Sequence, residues 1–520
     1  MHCSRLSRRR LLQGAGALGA AAAVQSRVGV AENGRVLRVR GSADLQVLDP
    51  AHRKGQPEGD ILRCLFTRLI EYRTGDQWGW RPAAAAAIEQ IGPTHVRFTL
   101  RPGIMFTGGF GEMTADDVKF SYERIADPAE ASAYRDDFGA LARVEAVDRY
   151  TGVIVLKEPF APLWTSTLPS ASGCILSRRA VEQAGGRFTT AAPATAGPYR
   201  IEEWRPKQRL TLARDPDWNG PRGGFDEIRI LPIEDEKAAE IAFAAGEVDY
   251  TAISVSSIPS YRTGQAPGVH LVEKSSLDYV WLGMNTAAPP FDDLRVRRAV
   301  QRAIDVDQVL EAAYFGVARR ATGIIAPGLI GHRPRLQGDP RPDLDAASAL
   351  LAEAGHGGGF ACTLDIEAKA ERLLAAQVIQ ANLARVGIAV QINQHDSGSF
   401  WSLGSEADGD RWRSLQLILQ KYGMQPDPSF ATAWFTPEQV GVWNWERFRS
   451  QEFGELHRRA LVATDPALRD RMYRRMQDLM EESGAYVFLT HEINAAVHSD
   501  TILPALLPDA NPVLPEFRAL

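Results

Sequence analysis

Residues 278–328 read DYVWLGMNTAAPPFDDLRVRRAVQRAIDVDQVLEAAYFGVARRATGIIAPG. Tyr279 to Asn285 is dense in aromatic and β-branched residues, which suits a buried strand. Pro289 and Pro290 close it. Asp292 is placed to cap a helix, because Val296, Ala299, Val300, Ala303 and Ile304 then recur at helical spacing. Asp305 with Gln308 forms a capping-box pattern for a second helix, with Val306, Val309, Leu310 and Ala313 on one face and a stop at Gly316.

The same alternation continues downstream. PRPDLDAASALLAEAG (340–355) reads as a helix and CTLDIEA (362–368) as a strand. Arg372 to Val386 has helical spacing, Gly387 ends it, and Ile388, Val390 and Ile392 form the next strand. Strand, helix and strand with a short return imply a parallel pair with a right-handed crossover. SLQLIL (414–419) is another buried strand, Asp465-Pro466 starts a long helix, and Tyr486 to Leu489 is a strand leading into HEINAAVHS. Upstream, Arg35 to Arg40 alternates as a strand, and Ile61 to Tyr72 is an apolar, helix-like run. Thr114 caps a helix with Asp117 at its third position, Tyr199–Trp204 and Arg209–Arg214 form a hairpin, and Phe225–Ile233 is a strand. The fold class is therefore α/β.

The tyrosine-to-asparagine strand, PPFDDLRVRRAVQRAID and VLEAAYFGVARRA resemble extracellular solute-binding family 5, the dipeptide, oligopeptide and nickel-type receptors of ABC importers. Weaker signatures of that family follow in order: Trp80-Arg81-Pro82, RPGIMF, TADDV (114–118), Thr195-Ala196-Gly197-Pro198-Tyr199 and AFAAGEVDYTAI (242–253). The resemblance implies a two-lobed periplasmic-binding-protein fold with two hinge crossovers. Lobe one is then 32–49, 191–277 and 490–520, with an inserted subdomain at 50–190, and lobe two is 278–489. It implies a receptor that traps a peptide or peptide-like solute between the lobes and hands it to permease subunits, with no cofactor and as a monomer.

On this resemblance the ligand-binding candidates are Asp44, Leu45 and Gln46 in the loop GSADLQVLDP, which otherwise reads as a solvated turn closed by Asp49-Pro50. Tyr279, Trp281 and Asn285 belong to the first crossing, and Phe488, Thr490 and His491 to the second. Lys421, Tyr422, Met424, Asp427, Trp443, Asn444 and Trp445 belong to lobe two, and truncating Trp281 or Tyr422 is expected to weaken binding without unfolding the chain. One position departs from the family. Its peptide binders hold the ligand's ammonium with an aspartate three residues before Asp-Pro, where this chain has Met424, and the usual tryptophan is Lys421. Lys421, Lys369 and Arg372 offer an anion grip instead, unless the lysines are simply solvated. Acidic opine-like solutes, oligosaccharides stacked on tryptophan, and metal chelates therefore compete with short peptides.

Composition agrees with a large globular protein. At 520 residues, 45% hydrophobic and 24% charged, the chain is too long for one core and ordinary in polarity. Ser7-Arg8-Arg9-Arg10-Leu11-Leu12 and the apolar run to Val24 have the form of a signal peptide of twin-arginine type over residues 1–31, hence export to the periplasm. Gly14-x-Gly16-x-x-Gly19 inside that leader matches a dinucleotide fingerprint only as a string, with no strand before it. Beyond Ala31 the basic residues number 54 and the acids 64, a balance that argues against nucleic acid partners. A secreted hydrolase is the rival class, but the chain has no G-x-S-x-G, HExxH, P-loop or CxxC. His491 and His498 would point to opposite faces of a strand, so no metal site is expected. Glu247 and Asp249 are read as turn-forming, and Cys64 and Cys174 either pair or stay as buried thiols beside Cys362.

Overall fold

The computed structural model describes residues 35–264 and 266–520. The expected signal peptide, residues 1–31, lies outside them. A single ten-stranded sheet runs through the molecule. Its strands in chain order are β1 (Val36–Gly41), β2 (Tyr199–Arg205), β3 (Arg209–Arg214), β4 (Glu227–Pro232) and β5 (Tyr250–Ala252). They continue as β6 (Val269–Met284), β7 (Phe360–Glu367), β8 (Ile388–His395), β9 (Leu417–Gly423) and β10 (Tyr486–Ser499). In space the order is β2-β3-β4-β1-β5-β10-β6-β9-β7-β8. A separate four-stranded antiparallel sheet, Ala85–Gly92 with His95–Leu100, Thr151–Leu156 and Leu141–Ala146, lies within the segment 50–190.

The expected parallel pair is present. β7 and β8 align from Phe360 opposite Ile388 to Glu367 opposite His395, joined by the helix Ala370–Ala384. Two features make β6 and β10 the spine. They are the longest strands, at 16 and 14 residues, and they pair antiparallel from Val269 opposite Ser499 to Gly283 opposite Tyr486. The apolar clusters sort along them. One draws on Leu37 to Tyr250 and returns at Ala496 to Phe517. Two others, around Val280 and Trp281, have all their buried members within residues 279–489, with Val255, Ile493, Trp78 and Leu277 packed on their edges.

Several local expectations are corrected. The run from Ile61 to Tyr72 is not one helix: the helix is Gln56–Leu65, and Ile70–Tyr72 is a strand paired with Trp80–Pro82. Phe66 turns to extended backbone between them and bridges to Ala196. Asp293, not Asp292, caps the helix Leu294–Ala303, its carboxylate accepting from the N–H of Arg295. Asp305 caps Val306–Tyr314 through the Gln308 N–H, but the box is not closed, since the Asp305 N–H donates to Asn382 at 2.7 Å; the helix ends on Phe315 in the left-handed region, one residue before Gly316. Asp49 is no solvated turn residue. It is fully buried and forks onto Arg124 at 2.9 and 2.8 Å. Asp249 binds Arg38, which ties β1 to the turn before β5. Cys64, Cys174 and Cys362 are buried free thiols.

Candidate functional site

The β6–β10 ladder is interrupted near its middle. Ser275 stands opposite Ile493 and Tyr279 opposite His491, so β6 spends four steps where β10 spends two. Such a bulge lifts its extra residues off the ladder and re-aims their side chains. The residues lifted are Ser276, Leu277 and Asp278, and the Ser276 hydroxyl takes the N–H of Asp278 at 3.0 Å. Cavities flank this bulge. One of 390 Å³ is lined by β1, Asp60, Lys421 and Glu492, the other of 470 Å³ by Arg53, Arg63, Trp78, Met424 and Gln425. Asp278, Gln56, Asn494 and Asn511 line both, so the two volumes share one wall.

A chain of charges crosses the floor. The Lys421 ammonium donates to Asp278 Oδ2 and to Glu492 Oε2, each at 3.1 Å. The other Glu492 oxygen accepts from Arg372 at 2.6 Å, and Arg372 donates to the Tyr314 hydroxyl at 2.5 Å. Burial by itself would neutralise Glu492, but Arg372 and Lys421 outweigh it and hold the carboxyl below its ordinary range. Burial likewise works against the Lys421 charge, and Glu492 and Asp278 more than restore it. An ammonium has three donors, and two are committed here, so one is left for a guest.

The facing wall comes from the helix Gln56–Leu65. Gln56, Asp60 and Arg63 fall on one face at helical spacing, and the Gln56 amide donates to Asp60 at 2.8 Å. Burial pushes the Asp60 carboxyl up to about 7. Asp509, also raised by burial, accepts from the Asn511 N–H at 3.1 Å and its amide at 2.7 Å. Arg53 lies 3.3 Å over the Tyr134 ring and 3.9 Å from Asp137. Gln425 Oε1 is buried in this wall with no hydrogen-bond partner among the described residues. A buried acceptor left open at a cavity wall is suited to a donor from outside the chain. Carboxylates, guanidinium groups, amides and aromatic rings thus surround one space, a lining fitted to a zwitterionic solute with amide groups.

Of the residues nominated from sequence, Lys421 and Met424 line these cavities. Tyr279, Trp281, Tyr422 and Phe488 are buried in a packed aromatic cluster instead. Trp281 is fully buried, stacks on Tyr279 at 5.3 Å and donates its indole N–H to Glu446 at 2.7 Å. The expectation that its truncation would spare the fold is therefore withdrawn. Trp443 sits half-buried at the cluster's edge, where its carbonyl accepts from the Tyr422 hydroxyl at 2.8 Å. Asn285 and Asn444 are buried framework residues. Asn285 donates to the carbonyls of Trp412 and Leu415, and Asn444 to those of Phe435 and Phe448. Trp445 packs on Gly404, where any Cβ would meet its indole.

Asp427 is fully buried, held by Arg469 through both oxygens at 2.9 Å and by Thr165 at 2.7 Å. It has no free face for a ligand ammonium. The Thr490 hydroxyl is spent on backbone carbonyls, and His491 is buried and kept neutral, its pKa down at about 3. Asp44 secures the β2–β3 turn through the Trp204 indole at 3.1 Å and the Lys207 N–H at 2.7 Å. Leu45 is buried, while Gln46 and Lys369 are exposed away from both cavity linings. Sequence reasoning missed Asp278, Glu492 in this role, Asp60, Arg63, Gln425 and Asp509. The available signal was Lys421 itself, a charge in an apolar strand that needed partners.

Residues 80–441 match the model for the middle region of bacterial extracellular solute-binding proteins, family 5. The glutathione-binding protein GsiB of Escherichia coli strain K12 is 25% identical over 415 residues, which is 78% of either chain. The Helicobacter pylori periplasmic binding protein DppA, solved with the peptide STSA, superposes with a TM-score of 0.74 at 22% identity, over 93% of this chain and 98% of that one. The protein MoaA of A. tumefaciens R10, solved with mannopinic acid, gives 0.74 at 22% identity, over 94% and 99%. These superpositions establish a shared two-lobed periplasmic-binding-protein fold.

Proposed function

The chain belongs to family 5 of the bacterial extracellular solute-binding proteins, and from that premise we propose that it is the substrate-binding component of an ABC importer. It takes up a peptide or peptide-like solute beside the Ser276–Asp278 bulge and presents it to membrane permease subunits. β6 and β10 are the two crossings of this reading, with 32–49, 191–277 and 490–520 as lobe one, 50–190 inserted in it, and 278–489 as lobe two. Closure of two such lobes around a hinge buries a guest from water and strengthens its polar contacts. Export through a twin-arginine leader to the periplasm, and action as a monomer, complete the proposal.

The observation that carries it is the bulge itself. It puts Asp278 between two cavities and within reach of Lys421, at the wider of the two register shifts in the long ladder. The solute's ammonium is assigned to the acidic wall of Asp60 and Asp509, and its carboxylate to Arg63 and Lys421. Met424 at the cavity wall supplies no carboxylate, which favours this inverted arrangement over a grip from the 424–428 loop. The same feature supports a second reading, an opine-like solute with more than one acidic group. Calorimetric titration with glutathione, tri-alanine and mannopinic acid tests both. Saturable binding of a peptide, weakened at least about tenfold by Lys421→Met, is the expected result. Binding of mannopinic acid alone selects the second reading, and wild-type-like affinity in Lys421→Met removes the site.

A further inference from the structure

A third cavity, of 640 Å³, opens at the C-terminal end of the helix Gln56–Leu65, between the 222–224 loop and the C-terminal segment. Its lining includes Arg63, Arg81, Arg214, Arg222 and Arg518, in a chain whose net charge is negative. The two lining acids, Glu71 and Glu516, are both consumed by Arg81. Arg214 is paired with Asp226 at 2.8 Å. Among the described residues no carboxylate lies within ion-pair distance of Arg222 or Arg518, and Arg63 feels Asp60 and Asp509 only at longer range, so the cavity keeps an excess of guanidinium charge.

The cavity is built rather than incidental. A Cβ on Gly223 would stand 2.2 Å from the Tyr199 hydroxyl, and one on Gly224 would stand 2.1 Å from the Phe517 carbonyl. Only glycine lets this loop close on β2 and on the C-terminal segment, and that closure brings Arg222 and Arg518 onto one hollow. Like charges gathered without counter-ions repel, which costs folding free energy unless an anion joins them. Planar guanidinium forks match tetrahedral oxyanions through paired N–H bonds, and several forks around one space select multiple negative charge.

We propose that this hollow is a binding site for a multiply charged phosphate-type oxyanion, adjoining the solute cavities through Arg63 but built on Arg222 and Arg518, which line neither of them. The anion is either free in solution or the headgroup of an anionic lipid. The test uses the whole protein and the double variant Arg222→Gln/Arg518→Gln, whose side chains touch neither solute cavity. Pyrophosphate is titrated calorimetrically in 150 mM NaCl on the order of physiological screening, and vesicles containing phosphatidic acid, whose headgroup is a phosphomonoester, are used in co-sedimentation. The expected result is saturable binding of pyrophosphate, of the vesicles, or of both, weakened about tenfold or more in the double variant. Without added anion the variant's melting temperature should be equal to or above that of the wild type, because two repelling charges are gone, and its affinity for glutathione or tri-alanine should stay unchanged. Absence of saturable binding in both arms overturns the proposal, as does equal binding by wild type and double variant.

Discussion

Adjacent parts of β6 meet opposite fates. From Tyr279 to Leu282 the strand stays in register with β9 and its side chains vanish into packed clusters. From Ser276 to Asp278 it leaves register with β10 and its side chains line open cavities. The aromatic part carries more apolar surface and is the more conspicuous in sequence. The polar part carries the room. A group can bind a guest only where its own chain has not already satisfied it, and Trp281, Asn285 and Asn444 are all satisfied within the fold.

The largest effect that could break this contrast is Trp281→Ala. It should cost about 4 kcal/mol in urea unfolding, because it empties a fully packed site and strips Glu446 of its donor. Loss of ligand affinity with unchanged stability would return the aromatic cluster to the binding site.

Glu446 offers a second break, through pH. Burial lifts its carboxyl to about 7, so the folded chain keeps a proton that the unfolded chain releases above its ordinary range. Its contribution is present in full below about pH 4.5, declines as pH rises towards 7, and is flat beyond, a span of about 3 kcal/mol. Glu446→Gln should remove that decline from urea midpoints measured between pH 5 and 8. Asp60, also raised to about 7, should leave a residual slope in the same direction. An unaltered profile in Glu446→Gln would mean the carboxyl is not dry.

Lys421→Met sharpens the contrast from the other side. Its ammonium is partly solvated, so stability should move by no more than about 1 kcal/mol, while affinity for the bound peptide falls by about 1.4 kcal/mol or more. A variant that unfolds would place Lys421 with the framework. The smallest effect is expected for Thr165→Val. It removes one hydrogen bond to Asp427 while Arg469 still holds both carboxylate oxygens, about 1 kcal/mol of stability at most. Urea midpoints report it, and a cost several times larger would make this contact, rather than Arg469, the anchor of the 424–428 loop.

The stretch 278–328 announced its strand and paired helices because their periodicity and caps are local properties, and the family followed from the same residues. Asp305 caps its helix as a local rule implies, while Asn382, far off in sequence, takes the N–H that the rule gives to Gln308. Local rules misplaced what neighbours decide. Ile61–Tyr72 has one apolar pattern yet divides into helix and strand, since Ile70–Tyr72 finds a partner at Trp80–Pro82. Asp292 and Asp293 are equivalent on paper, and the turn after Phe291 chooses between them.

The site was read least well, for the same reason. Which residues are rich in binding chemistry is written in the chain, and Lys421 was visible that way. Which of them remain unspent depends on partners far away in sequence: Glu446 for Trp281, Arg469 for Asp427, Glu492 and Asp278 for Lys421. The bulge that opens the cavity is a mismatch of step between β6 and β10, two strands some two hundred residues apart. A mismatch belongs to the pair, so neither strand alone encodes it. Periodicity, capping and composition are summed over near neighbours and can be read from order. Vacancy is what remains after every long-range contact has formed, and only the folded chain contains it.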